Sequence, residues 1–267
     1  MNLLNDWNRL RIQQVLSYLN LIWFAPLIVF FLKFIYGYKI RNLKTFRLHV
    51  KYLKSRANGR PIVIAANHLT AIDSFIINWA LHPWPRYIYQ FKDFPWNVPE
   101  YSNFGHNPIL KLLCYLGKCV YIKRTGSKKQ KARTMKKLQH LAKMNNIVCI
   151  FPEGGRSRTG FVDKESATYG IGQILNHLED PLVWCVYMRG DHQKEMSWVP
   201  LRGETFELSI KSLELQSTQE GMRGARSKTR EIFETLLELE EVYFDNRERY
   251  YRPERGATTS QILRPNH

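Results

Sequence analysis

Four short apolar runs, Pro61 to Ala66, Cys119 to Lys123, Asn146 to Phe151 and Leu182 to Met188, constrain the fold more than any other feature of this chain. Each is rich in β-branched or aromatic residues and too continuously apolar to keep one face in water, so each is expected to be a central strand covered on both sides. Longer amphipathic stretches separate them. In one, Ala132, Met135, Leu138 and Ala142 recur at helical spacing among lysines, which predicts a helix with an apolar face on the sheet and a cationic face in solvent. Residues 223–244 read as a second, acidic-rich helix. Residues 81–108, rich in proline and aromatics without periodicity, read as a long ordered loop. The alternation predicts an α/β fold: a mostly parallel central sheet flanked by helices.

Ahead of these elements, Leu16 to Tyr38 is dominated by Leu, Ile and Phe and carries Lys33 as its one charge. At about 20 residues it is long enough to cross a bilayer core. Asn20 and Pro26 interrupt it, so a half-inserted helix, a spanning helix and a buried core helix all remain open. Arg9 and Arg11 precede it, whereas Lys39, Arg41, Lys44, Arg47, Lys51, Lys54 and Arg56 follow, a bias that puts the body of the protein on the cytoplasmic side of the membrane. Residues 1–58 are thus expected to be a membrane-associating segment with a basic connector. Residues 59–246 form the main domain, and residues 247–267 a mobile tail.

With 40 Lys and Arg against 23 Asp and Glu, the formal charge of +17 calls for a polyanionic partner: nucleic acid, an anionic membrane or a phosphorylated substrate. The apolar segment and the lack of a nucleic-acid recognition motif favour the latter two, and no nucleic-acid partner is expected. The cysteines, Cys114, Cys119, Cys149 and Cys185, lack metal-ligand spacing and read as buried thiols.

Three stretches carry chemistry. The first run ends in Asn67-His68-Leu69-Thr70-Ala71-Ile72-Asp73, a histidine just past a strand end, where open α/β sheets bind ligands. If Thr70 caps the following helix, Asp73 is its third residue, and its carboxylate can reach back to fix the tautomer of His68 and leave the other ring nitrogen as a general base. The same Thr-x-x-Asp spacing is also that of a capping box, in which the acid only satisfies a helix terminus. The second stretch, Phe151 to Gly160, packs glycines and Arg156 into one turn. Its backbone can approach an anion closely and its guanidinium can fork onto phosphate, but Phe161 and Val162 stand where a P-loop needs Lys and Ser or Thr. The third delivers Arg124 to the end of the run from Gly117.

Taken together, these residues resemble the lysophospholipid and glycerol-phosphate acyltransferase family, which includes bacterial 1-acylglycerol-3-phosphate acyltransferases. Asn67, His68 and Asp73 match its N-H-x4-D block, Tyr121 and Arg124 its aromatic-x-x-Arg, and Phe151 to Ser157 its F-P-E-G-x-R-S. Cys185 stands where the fourth block usually has proline, and Gly155 replaces a commoner threonine. Lys92 is a loose match to a lysine between the first two blocks. The resemblance implies that His68 is the base, that Asp73 orients it, and that Arg124, Glu153, Gly154 and Arg156 hold the acceptor. It further implies an acyl-CoA or acyl carrier protein donor, a lysophospholipid acceptor, 1-acyl-sn-glycerol-3-phosphate first, and a role in phospholipid biosynthesis at an anionic membrane. No metal or cofactor is implied. Glycerol-3-phosphate or another lyso-lipid is the alternative acceptor, and a non-catalytic lipid-binding membrane protein is the alternative of another class.

Overall fold

The computed structural model describes residues 3–251. Its strands are β1 (Lys39–Ile40), β2 (Ile62–Ala66), β3 (Trp96–Asn97), β4 (Val148–Ile150), β5 (Leu182–Gly190) and β6 (Thr205–Glu214). They form one sheet in the order β1-β6-β5-β2-β4-β3. Strands β5, β2, β4 and β3 are parallel, β6 runs antiparallel to β5, and β1 is parallel to β6. The expected mostly parallel sheet is present, with a reversed edge pair added.

Burial follows side-chain alternation. Ile62, Ile64 and Ala66 join one apolar layer with Trp184 and Val186, whereas Val63 and Ala65 join the other with Val183, Cys185 and Tyr187. The helices that cover these faces are α1 (Leu3–Phe30), α2 (Leu43–Arg56), α3 (Asp73–Leu81), α4 (Trp84–Tyr89), α5 (Tyr101–Phe104), α6 (Pro108–Leu116), α7 (Lys128–Lys143), α8 (Gly170–Leu175) and α9 (Gly221–Tyr251). The first layer is closed by α2 and α3, through Phe46, Val50, Leu53, Ile76 and Ile77. The second is closed by α7, α8 and α9, through Leu138, Leu141, Ile171, Ile174, Ile232 and Leu236.

Several elements differ from the sequence reading. Cys119 to Lys123 is not a sheet strand: it runs beside the edge with isolated bridges, Asn97 to Cys119 and Glu100 to Ile122. The basic connector is largely α2, whose Phe46, Val50 and Leu53 are spaced for one buried helical face. The expected loop over 81–108 breaks into α4, a 3-10 turn at Phe91–Asp93, β3 and α5. A buried lysine pins that region. Lys118, at φ 55, donates from Nζ to the carbonyls of Phe91 (3.0 Å) and Phe94 (2.6 Å), beneath the Phe91 ring. Among the cysteines, Cys149 and Cys185 are buried as expected, but Cys114 and Cys119 are only half-buried. At the C-terminus, α9 continues to Tyr251, so Arg247 belongs to a helix and bonds Asp191 Oδ1 at 2.9 Å. The remaining residues of the expected tail, 252–267, lie outside the described residues.

The apolar segment is the second half of α1, completed by a π-helical turn at Phe31–Ile35. From Asn5 to Ile35 it is long and apolar enough to cross a membrane. One stripe of it, Asp6, Leu10, Gln13, Ser17 and Leu21, is buried against the domain. Asp6 pairs with Arg133 on α7, Gln13 Nε2 donates to the carbonyls of Tyr115 and Cys119 (2.9 Å each), and Ser17 Oγ donates to Tyr115 O (3.3 Å). The opposite face, including Leu19, Trp23, Leu27 and Phe34, is exposed.

Candidate active site

Strand β2 ends at Ala66, but Asn67 extends the sheet by one more residue with its side chain. Its Oδ1 accepts from Met188 N–H (2.8 Å) and its Nδ2 donates to Met188 O (3.0 Å), as a peptide group would. This holds the chain rigid where it turns out of the sheet, and His68 is the next residue.

The His68 ring lies 4.1 Å from the Phe151 ring, nearly parallel at 19°, and its Nδ1 is 2.9 Å from Asp73 Oδ2. Asp73 is almost fully buried and is the first residue of α3, not the third; Ile72 occupies the cap position. Its Oδ2 also accepts from the N–H groups of Leu69 (2.7 Å) and Thr70 (2.8 Å), and its Oδ1 accepts from the Thr70 hydroxyl. The two sequence readings therefore coexist in one carboxylate: it closes the turn ahead of α3 and it engages the imidazole. In the tautomer that donates its Nδ1–H to Asp73 Oδ2, Nε2 keeps its lone pair.

The β4 loop is laced to this turn through the backbone. Glu153 Oε1 accepts from His68 N–H (3.1 Å), and Ser157 N–H donates to His68 O (2.8 Å). Glu153 is buried, and its Oε2 has no hydrogen-bond partner among the described residues. Burial pushes its carboxyl up to about 8, against the His68 N–H, which favours ionisation, and with Glu240 adding to the rise. Burial thus favours the protonated form, in which the group presents an O–H. Gly154 has φ +69, and a Cβ there would stand 2.4 Å from Thr168 Cγ2, so both backbone and space demand glycine.

The arginines come in from two sides. Arg124 pairs with Glu100 (Nε to Oε2, 3.3 Å) and its NH1 lies 3.7 Å from where a Gly155 Cβ would be, so the guanidinium rests against the glycine turn. Arg156 donates from NH1 to Ser197 O (3.0 Å) and stacks over Trp198 at 4.4 Å. His68, Asp73, Arg124, Glu153, Gly154 and Arg156 are thus linked, directly or through one neighbour, at the C-terminal ends of β2 and β4. Lys92 is not with them; its carbonyl accepts from Ile147 N–H at the opposite end of the sheet. A wide cleft of about 820 Å³ between α2 and α4 also contains none of them. Sequence reasoning missed Phe151 as a stacking partner, Glu100, and the Ser197-Trp198 loop. Only Phe151 had a local signal, its place at the head of the motif.

A family model described as Acyltransferase matches residues 47–189, more than half of the chain, from within α2 to the end of β5. The chain belongs to that acyltransferase family. The matched span contains all six residues of the site, and the strands and helices that the acyltransferase uses to place them. No curated protein matches this acyltransferase.

Proposed function

We propose that this acyltransferase moves a fatty acyl group from the thioester of acyl-CoA or acyl carrier protein to the free hydroxyl of a lysophospholipid, with 1-acyl-sn-glycerol-3-phosphate as the first acceptor to test. The observation that carries the proposal is the 2.9 Å contact between His68 Nδ1 and the buried Asp73 carboxylate. In this reading His68 Nε2 takes the proton of the acceptor hydroxyl as its oxygen attacks the thioester carbonyl. The C–O bond forms, the C–S bond breaks, and the departing thiolate recovers the proton from His68. General-base assistance of this kind contributes about 10²- to 10⁴-fold. Asp73 keeps the tautomer and stabilises the transient imidazolium. Arg124 and Arg156 supply forked donors for the acceptor phosphate, Gly154 lets the backbone approach, and the protonated Glu153 donates to an acceptor oxygen.

The same proposal places the enzyme at an anionic membrane, with the cytoplasmic side assigned from the basic residues after the apolar segment. A helix glued to the domain from Asp6 to Leu21 and exposed on its other face suits lying in the bilayer interface better than leaving the domain to cross it.

The test is thiol release from acyl-CoA and acyl carrier protein donors by purified wild type and His68→Ala, offered lysophosphatidic acid, glycerol-3-phosphate or a neutral lysolipid. Release that requires both His68 and lysophosphatidic acid is the expected result. Release with glycerol-3-phosphate alone would reassign the acceptor, and His68-independent release would reject His68 as the base.

A further inference from the structure

The segment from Lys194 to Gly203 contributes no motif residue and lies beyond the matched span, yet it runs across the site. Ser197 N–H donates to Leu69 O (3.1 Å), and Ala71 N–H donates to Trp198 O (3.2 Å). Arg156 bonds Ser197 O and stacks on Trp198 from the other side. The far end of the loop is tied to the end of the apolar helical segment: Gly203 N–H donates to Tyr36 O (2.7 Å) and the Tyr38 hydroxyl to Pro200 O (2.9 Å). One loop therefore joins the catalytic turn to the apolar segment by hydrogen bonds at both ends.

Its backbone is held in place, but its apolar side chains face outward. Trp198 is 62% exposed and Leu201 67%, with Met196 and Val199 also exposed. Single exposed apolar residues are ordinary. Here four fall within six positions, and the loop is bonded to a segment whose own end exposes Phe30, Phe31, Phe34 and Ile35, a density of exposed apolar side chains of the kind that marks a binding surface. Arg202 follows the apolar tip, and Lys194 and Glu195 precede it, all three exposed. Tryptophan with flanking cations is the side-chain set that the interfacial layer of an anionic bilayer favours.

We infer that the Lys194 to Gly203 loop is a lipid-inserting lip: Met196, Trp198, Val199 and Leu201 enter the interfacial layer of an anionic bilayer and hold the mouth of the His68 site at the membrane surface. A lysolipid acceptor then passes from the leaflet to the base without crossing bulk water. The delivery of acceptor rests on the acyl-transfer reading; the insertion of the loop does not.

Two measurements test it. In vesicles of equal parts phosphatidylglycerol and phosphatidylcholine, lipids brominated along their chains are expected to quench a tryptophan component that disappears in Trp198→Phe. The double variant Val199→Glu/Leu201→Glu is expected to lower turnover of vesicle-borne lysolipid by at least about tenfold, since two carboxylates on an inserting surface resist entry into the bilayer. It should leave turnover of a short-chain, water-soluble acceptor unchanged. Met144→Glu, an exposed position before β4 at the far end of the sheet, should change neither. Wild-type turnover of vesicle-borne acceptor by the double variant, or no quenched component assignable to Trp198, would overturn the inference. So would loss of turnover with acyl carrier protein but not acyl-CoA, irrespective of how the acceptor is presented, which would make the loop a carrier-protein dock. Failure of wild type on every acceptor would instead reject the acyl-transfer reading while the quenching result still judged the loop.

Discussion

Replacing Asp73 by Asn separates its two jobs. In the wild type, Oδ2 receives three donors, His68 Nδ1 and the N–H groups of Leu69 and Thr70, while Oδ1 receives the Thr70 hydroxyl. An asparagine can put its oxygen at the Oδ2 position and its amide at the Oδ1 position, where the Thr70 hydroxyl rotates to accept. Every buried backbone donor then stays paired, and the turn before α3 survives. What is lost is the charge. Hydrogen bonds to an ionised partner contribute about 1.5–3 kcal/mol against roughly 1 for neutral pairs, and the imidazolium formed during proton transfer loses its counter-charge. A loss of about 1.5–3 kcal/mol in the transition state corresponds to roughly 10- to 150-fold in kcat. Asp73→Ala behaves differently: it strands the buried N–H groups of Leu69 and Thr70 and should cost more than about 3 kcal/mol of stability as well as activity. Thiol-release kinetics and urea unfolding of both variants make the comparison. An Asn variant within about threefold of wild-type kcat, with unchanged stability, would mean that the carboxylate only closes the turn, and the reasoning for an orienting role would fail.

Three further outcomes are expected. Because burial raises the Glu153 carboxyl from its ordinary value to about 8, its contribution to stability is fully present below pH 4.5 and is lost as pH rises through 8; the full loss is on the order of 5 kcal/mol as an upper bound. Urea unfolding at pH 5 and pH 9 should show a much smaller pH dependence in Glu153→Gln, and equal slopes would refute the burial argument. Gly154→Ala should destabilise by about 2–4 kcal/mol through left-handed strain and the Thr168 clash, and adding Thr168→Ser, which removes Cγ2, should recover only the clash part in thermal unfolding. Lys118→Met should cost about 2–4 kcal/mol by leaving two carbonyls without their donor, with faster amide hydrogen exchange at Trp96 and Asn97 as its local signature.

What could be read from the sequence was what is local. His68 and Asp73 are five residues apart, so strand-end logic sufficed to pair them, although not to choose between cap and orienter, since the one carboxylate both closes the turn and contacts the ring. Central strands β2, β4 and β5 were legible because burial on both faces leaves a continuous apolar run. Strand β6 was not sought as one, but its buried Phe206, Leu208 and Ile210 alternate with Glu207, Ser209 and Lys211, the period-2 signal of a half-covered strand. Cys119 to Lys123 misled because its backbone only bridges to residues 97 and 100 and accepts from Thr134 on α7, while Val120 joins the same apolar layer as Leu138. Glu100 and the Ser197 loop gave no signal because their relation to Arg124 and Arg156 spans 24 and 41 positions. Lys118 looked like an ordinary charged residue; only the enclosure formed by Phe91, Phe94 and Trp96 turns it into a core residue.

The backbone of His68 is held on both sides by a different strand's loop, its N–H by Glu153 and its carbonyl by Ser157. The proposed base is therefore hung from the very turn proposed to cradle the acceptor, which ties the two together. On the proposed function, a substitution in residues 153–157 that widens the cradle for a bulkier head group would also disturb the two bonds that hold the residue 68 backbone, so acceptor choice and turnover would be mechanically geared. Under that proposal, engineering a new acceptor preference would succeed through the outer contacts, Arg124 and Glu100, before it succeeded through the glycine turn itself.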